Sequence, residues 1–316
     1  MDLLNLIIKK LHLLSEPELL FVSDIIDESL SAGPERKNSL MEFSDDLKKM
    51  MATSFLTKRI TGPFSKALLV ETNDELYAVD PEDHVVGWEL RHHGAFAPEQ
   101  LSFVKELLTT ESNLLIVGAH IGTLVIPLAR ACSKIVAIEA NPQSFQLLEL
   151  NIHINQVNNC RAFNIAASDK PGDIPFLMSR VNSGGSKRKP IVKDYMYYYD
   201  NPTEIMVPGF PLDTYLSDET FDVIVMDIEG SEYFALKGMQ RLISSARYLI
   251  VEFLPHHFRN VAGISVADFL SVLPVYESLT VPSLKKTVGR EDFLSLLTYM
   301  YDHNITDDGI VFESHI

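Results

Sequence analysis

The chain has 316 residues, 46% of them hydrophobic, and its 27 Lys+Arg against 43 Asp+Glu give a formal net charge of −16. A chain this long buries roughly three quarters of the surface its unfolded form exposes, which suits one large core with an appendage or two domains and excludes disordered and disulfide-stapled classes. The negative field argues against a nucleic-acid partner, because that affinity comes from Lys and Arg neutralising phosphates, and the basic KRK at 187–189 is too short to reverse it.

The N-terminus carries Asp2, and Lys9 and Lys10 break the apolar run that an export signal requires. The two cysteines, Cys132 and Cys160, lie in apolar runs, so a reducing cytoplasm is the expected compartment. Leu4, Ile7, Ile8, Leu11 and Leu14 repeat at helical spacing, a second such pattern covers 18–30, and residues 1–65 read as a helical region. These helices could cap a site, form a homodimer surface or pack on a sheet. Residues 66–110 read as a lead-in: two strands, 67–71 and 75–79, flank a TND turn, and helical stretches follow to Leu108.

From Leu114 short Val- and Ile-rich runs (LLIV, IVAI, FDVIVM, YLIVEF) alternate with helical segments. That is the pattern of a parallel sheet buried on both faces, so 111–316 reads as an α/β domain. Residues 114–132 are apolar enough to suggest a membrane span, but His120, Pro127, Arg130 and two glycines favour strand, loop and a helix over 124–132, and no membrane partner is expected. An insertion at about 169–211 holds NSGGS (182–186) and YMYYY (195–199) and reads as a long functional or mobile loop. The tyrosines would wall an acceptor, or form a strand or subunit contact.

The first βα turn, LLIVGAHIGT, places Gly118, Ala119, His120, Gly122 and Thr123 between a strand and a helix. Glycine allows a tight turn and close approach of a ligand, and the following helix end favours an anionic group. The G-x-x-x-G spacing is not the dinucleotide fingerprint, which disfavours a nicotinamide oxidoreductase. Glu139 ends the next strand, where an acid accepts both ribose hydroxyls or starts the following helix as a solvated carboxylate; Ala140 and Asn141 come next. After the fourth strand comes DIEGSE: in extended backbone Asp227 and Glu229 project on one side, while Glu232 suits helix capping. The pairs His92-His93 and His256-His257 read as surface or packing residues rather than bases, and no required metal is expected.

These residues resemble the FkbM-type family of class I S-adenosylmethionine-dependent methyltransferases. The resemblance runs from about 76 to 257 through VGAHIG, VAIEANP, AASD, NSGGS, PLDTY, VMDIEGSE with LKG behind it, and LIVE. It implies a Rossmann-like, mostly parallel, seven-stranded sheet with an N-terminal helical appendage, and S-adenosylmethionine bound over the strand ends. By that likeness Gly118 to Gly122 hold the methionine end, Glu139 the ribose, and Ala167 and Ser168 the adenine edge. Asp227 faces the amino group or transfer centre, and Glu229 and then Glu252 are the candidate bases. The expected reaction is O-methylation of a hydroxyl on a sugar or natural-product intermediate. N-methylation of a peptide or amide nitrogen, or a non-catalytic cofactor-binding partner protein, are the alternatives. Ile116 stands where the family usually has Asp, His120 where it has Asn, and Val225 where it often has Lys.

Overall fold

The structure is a computed structural model and describes residues 45–314. The chain divides into two units at Ser65/Lys66. In the first, α1 (Asp45–Thr61) ends on Lys58 and Arg59, whose charge suits a helix C-terminus, and Lys58 Nζ reaches the Ser65 carbonyl at 2.7 Å. The helical patterns at 4–14 and 18–30 lie outside the described residues.

The second unit opens with the antiparallel hairpin β1 (Leu68–Glu71) and β2 (Leu76–Val79), closed by Thr72, whose N–H and hydroxyl both donate to the Glu75 carbonyl. Helices α2 (Val86–His93) and α3 (Pro98–Leu107) follow. Next come β3 (Asn113–Val117), the single turn α4 (Val125–Leu128), β4 (Lys134–Ile138), α5 (Pro142–Ile154) and β5 (Cys160–Phe163).

The insertion is not a loop. It folds into a four-stranded sheet of β6 (Ala166–Ala167), β7 (Gly172–Met178), β8 (Lys187–Arg188) and β9 (Thr203–Phe210), in the order β6-β9-β7-β8. Alternation contributes to this: Ile174, Phe176 and Val207 share one face as a small apolar core, while Pro175, Met206 and Pro208 between them are exposed. The tyrosine run forms neither strand nor open wall but a tight turn at Tyr195–Tyr197 with Tyr197 buried.

The remaining strands are β10 (Val223–Met226), β11 (Tyr248–Phe253), β12 (Ser278–Val281), β13 (Lys286–Gly289) and β14 (Asp307–Glu313). They complete an eight-stranded sheet, β13-β12-β14-β11-β10-β3-β4-β5, parallel from β11 through β5 and antiparallel at β14, β12 and β13. The expected seven strands are there; β13 adds an eighth, short and half exposed, so it carries no apolar signal. Alternate residues of β3 and β4 feed the two cores: Leu115, Val117 and Val136 on one face, Leu114, Ile116 and Ile135 on the other. Among the described residues no helix is long and apolar enough to cross a membrane.

Candidate active site

A cavity of about 220 Å³ opens at the carboxyl ends of β3, β4 and β10, where the strand order reverses between β3 and β10. In open α/β sheets this switch point is where ligands bind. Gly118 has φ +93°, and a Cβ there would lie 1.7 Å from the Asp227 carbonyl oxygen, so the ends of β3 and β10 touch only because position 118 has no side chain. The loop is tied to the next strand: Gly118 and Ala119 donate to the Ile138 carbonyl at 2.9 and 3.0 Å, and the His120 N–H donates to Glu139 Oε2 at 2.7 Å. The expected helix over 124–132 shrinks to Val125–Leu128, because the chain tightens onto Leu128 (Ala131 N to its carbonyl, 2.9 Å) to enter β4. The N–H groups of Gly118 and Ala119 are taken by the Ile138 carbonyl, that of His120 by Glu139 and that of Gly122 by the Ala119 carbonyl.

Glu139 is buried on the cavity floor, its other oxygen accepting from Asn141 N at 2.7 Å, and burial pushes its carboxyl up to about 7. Asp227 and Glu229 also line the cavity, though not by strand alternation: β10 ends at Met226, and Glu229 sits in the left-handed region at φ +57°. Burial, then the nearby Glu229 and Glu232, hold the Asp227 carboxyl well above its usual range. Glu232 accepts from Ile228 N at 3.1 Å and Gly230 N at 3.2 Å, so it fastens the turn ahead of its helix.

Nine of the expected residues line the cavity: Gly118, Ala119, His120, Thr123, Glu139, Ala140, Ala167, Asp227 and Glu229. Four stand behind it. Gly122 packs on Leu148, Asn141 caps α5 by accepting from Gln143 N, Ser168 pairs with the Phe210 carbonyl, and Glu252 lies beneath Glu229 and His257. Of the three positions that depart from the family pattern, Ile116 and Val225 form apolar floor. His120 is not a free loop histidine: burial lowers its pKa, and its Nε2 meets Ser183 Oγ at 2.6 Å while that hydroxyl donates to buried Asp83. Asp83 was invisible to motif reading, whereas Ser183 lay in the NSGGS run without an assigned role. His257 is almost fully buried rather than superficial.

Two carboxyls on the cavity wall, Glu139 and Asp227, both held above the usual carboxylate range beside an apolar floor, suit a ligand that offers paired hydroxyls and positive charge. A nucleoside bearing a sulfonium and an amine has both, and Glu139 and Asp227 would receive them. The family profile "Methyltransferase FkbM domain" matches residues 117–304. The chain belongs to this family and is an S-adenosylmethionine-dependent methyltransferase by that membership. A tRNA(Phe) (4-demethylwyosine(37)-C(7)) aminocarboxypropyltransferase of Pyrococcus horikoshii is 31% identical over 107 residues, 31% of this chain and 38% of that protein. The chain thus spans about two fifths of the length of that curated relative. The solved FkbM methyltransferase of Methylobacillus flagellatus is similar at 16% identity and TM-score 0.42, covering 92% of this chain and 60% of that one. A TehB-like methyltransferase of Corynebacterium glutamicum is similar at 12% and TM-score 0.40, covering 72% and 94%.

Proposed function

We propose that the protein methylates a hydroxyl group on a small molecule, a sugar or another natural-product intermediate, in a reducing cytoplasm. The observation that carries this reading is the Glu229 carboxylate on the cavity wall next to Asp227, a proton acceptor where a hydroxyl has to lose its proton. When bound, S-adenosylmethionine supplies a methyl group on a sulfonium for direct displacement. Glu139 would hold the ribose hydroxyls and Asp227 the positively charged part of the cofactor. Glu229 takes the acceptor proton as the oxygen gains the methyl carbon, and the floor of Ile116, Val225 and Ile138 keeps water from competing. The net charge of −16 supports a small-molecule or peptide acceptor over a nucleic acid, and the two free cysteines support a reducing compartment.

The test is methyl-labelled S-adenosylmethionine incubated with full-length protein and a deproteinised small-molecule extract of the source cells. Label is expected in an alkali-stable small-molecule ether, with the rate falling about 100-fold or more in Glu229→Gln. Undiminished transfer in Glu229→Gln would remove the base, and label incorporated into RNA when total cellular RNA replaces the extract would remove the acceptor class.

A further inference from the structure

Four motifs that the cavity does not absorb converge on one buried point behind Glu229. Lys187, from the basic KRK run, is buried, and its Nζ donates to Glu229 Oε2 at 2.8 Å. The same ammonium meets His257 Nε2 at 3.2 Å, and that nitrogen is itself 3.2 Å from Glu229 Oε2. On the far side of the ring, His257 Nδ1 faces Glu252 Oε2 at 3.7 Å and has no hydrogen-bond partner among the described residues. Tyr197 closes the cluster, its ring 5.4 Å from Lys187 Nζ and its hydroxyl 3.1 Å from His256 Nδ1.

Donor arithmetic orders these atoms. An ammonium only donates, so Nε2 of His257 has to be the accepting nitrogen and Nδ1 the protonated one, aimed at Glu252. Nε2 and Glu229 Oε2 are then two acceptors facing each other, reconciled only by the lysine between them. The backbone enforces the approach: a Cβ at Gly230 would lie 2.7 Å from Val261 Cβ and 3.0 Å from His257 Cβ, so the segment bearing His257 lies directly on the turn that bears Glu229. Glu229 holds a left-handed φ without being glycine, a cost that persists where surrounding contacts over-determine a functional group. The same three residues, Glu229, Glu252 and His257, have the spacing of a cation site, but the lysine already brings the positive charge there.

We propose that Lys187 is a positioning residue, held by His257 and Glu252, that aims the Glu229 carboxylate at the acceptor in place of a metal ion. The proposal rests on the reading of Glu229 as the base. Glu229, Glu252, Lys187, His256 and Tyr197 are the ionisable groups that face His257, whose protonation is disfavoured first by burial and then by Lys187 and His256.

The experiment is long-range 1H–15N NMR of histidine-labelled full-length protein, assigned with His257→Gln, between pH 5 and 9. In the wild type His257 is expected neutral and protonated on Nδ1. In Lys187→Met the proton is expected to move to Nε2, where it can donate to Glu229, and Lys187→Arg is expected to restore the Nδ1 form. Equal thermal transitions of the two lysine variants keep a folding defect from imitating the result. An Nε2-protonated wild type, or a tautomer that ignores Lys187→Met, overturns the proposal. Selective broadening of His257 by added Mn2+ in the wild type overturns it as well, because a cation would then be the natural occupant. None of these readouts needs the acceptor, so they fail separately from the base: methyl transfer that survives Glu229→Gln while the tautomer switches as expected overturns the base reading and leaves the chain without a purpose.

Discussion

The two sides of the cavity are built differently. On the cofactor side, Gly118 and Glu139 lie twenty-one positions apart at the ends of neighbouring strands β3 and β4, and main-chain donors hold them: the His120 and Asn141 N–H groups fix both oxygens of Glu139. On the acceptor side, Glu229, Lys187 and His257 come from a turn, a two-residue strand of the insertion and a segment after β11, held by one side-chain cation. Main-chain scaffolding tolerates few changes but demands little of side-chain identity.

Breaking the cofactor side at its backbone should have the largest effect. Gly118→Ala forces a side chain into the Asp227 carbonyl at a positive φ, and a loss of about 4 kcal/mol or more in denaturant unfolding is expected, with no cofactor binding in calorimetry. Glu139→Ala comes next: it strands two buried N–H groups at about 1–3 kcal/mol each and removes the ribose acceptor, so S-adenosylmethionine affinity should fall about 100-fold.

The same carboxyl gives a pH signature. Glu139 titrates at about 7 when folded against an ordinary 4.5, so between those values the folded state alone holds the proton. Its contribution to stability therefore falls as pH rises from 4.5 to about 7, then levels off. Hydroxyl donors favour the ionised form, so cofactor affinity should climb through pH 7 with proton release near pH 6. Calorimetry in buffers of different ionisation enthalpy measures that release, and Glu139→Gln should remove the share that titrates near pH 7. Smallest is Ser183→Ala, which cuts His120 from Asp83 and should lower cofactor affinity by about 3- to 10-fold, a neutral hydrogen bond's worth. A larger loss there would mean that the insertion, and not only the main chain, carries the cofactor side.

The hairpin, strands β3, β4, β10 and β11, the glycine turn and the positions of Glu139, Asp227 and Glu229 are legible in order along the chain, because each rests on local periodicity or a contiguous motif, whereas strands β12, β13 and β14 are not. The helix after Gly122 was overestimated, since apolar residues at helical spacing do not reveal where the chain tightens to reach β4. The insertion's sheet has little local signal because its alternating sets, Ile174-Phe176-Met178 and Ile205-Val207, are short and interleaved with prolines and with the apolar Leu177 and Met206. The KRK run and the His256-His257 pair stand out along the chain, but the pairing of Lys187 with His257, and of Asp83 with Ser183, has no local sign: Asp83 lies one hundred positions before Ser183, and Lys187 seventy before His257. Thus the sequence by itself determined an α/β methyltransferase of this family and the side of the sheet where its cofactor belongs, since those follow from short-range pattern. Only the tertiary structure decided what stands around the acceptor, because a buried charge cluster exists only once distant segments meet and exclude water from the groups they pair.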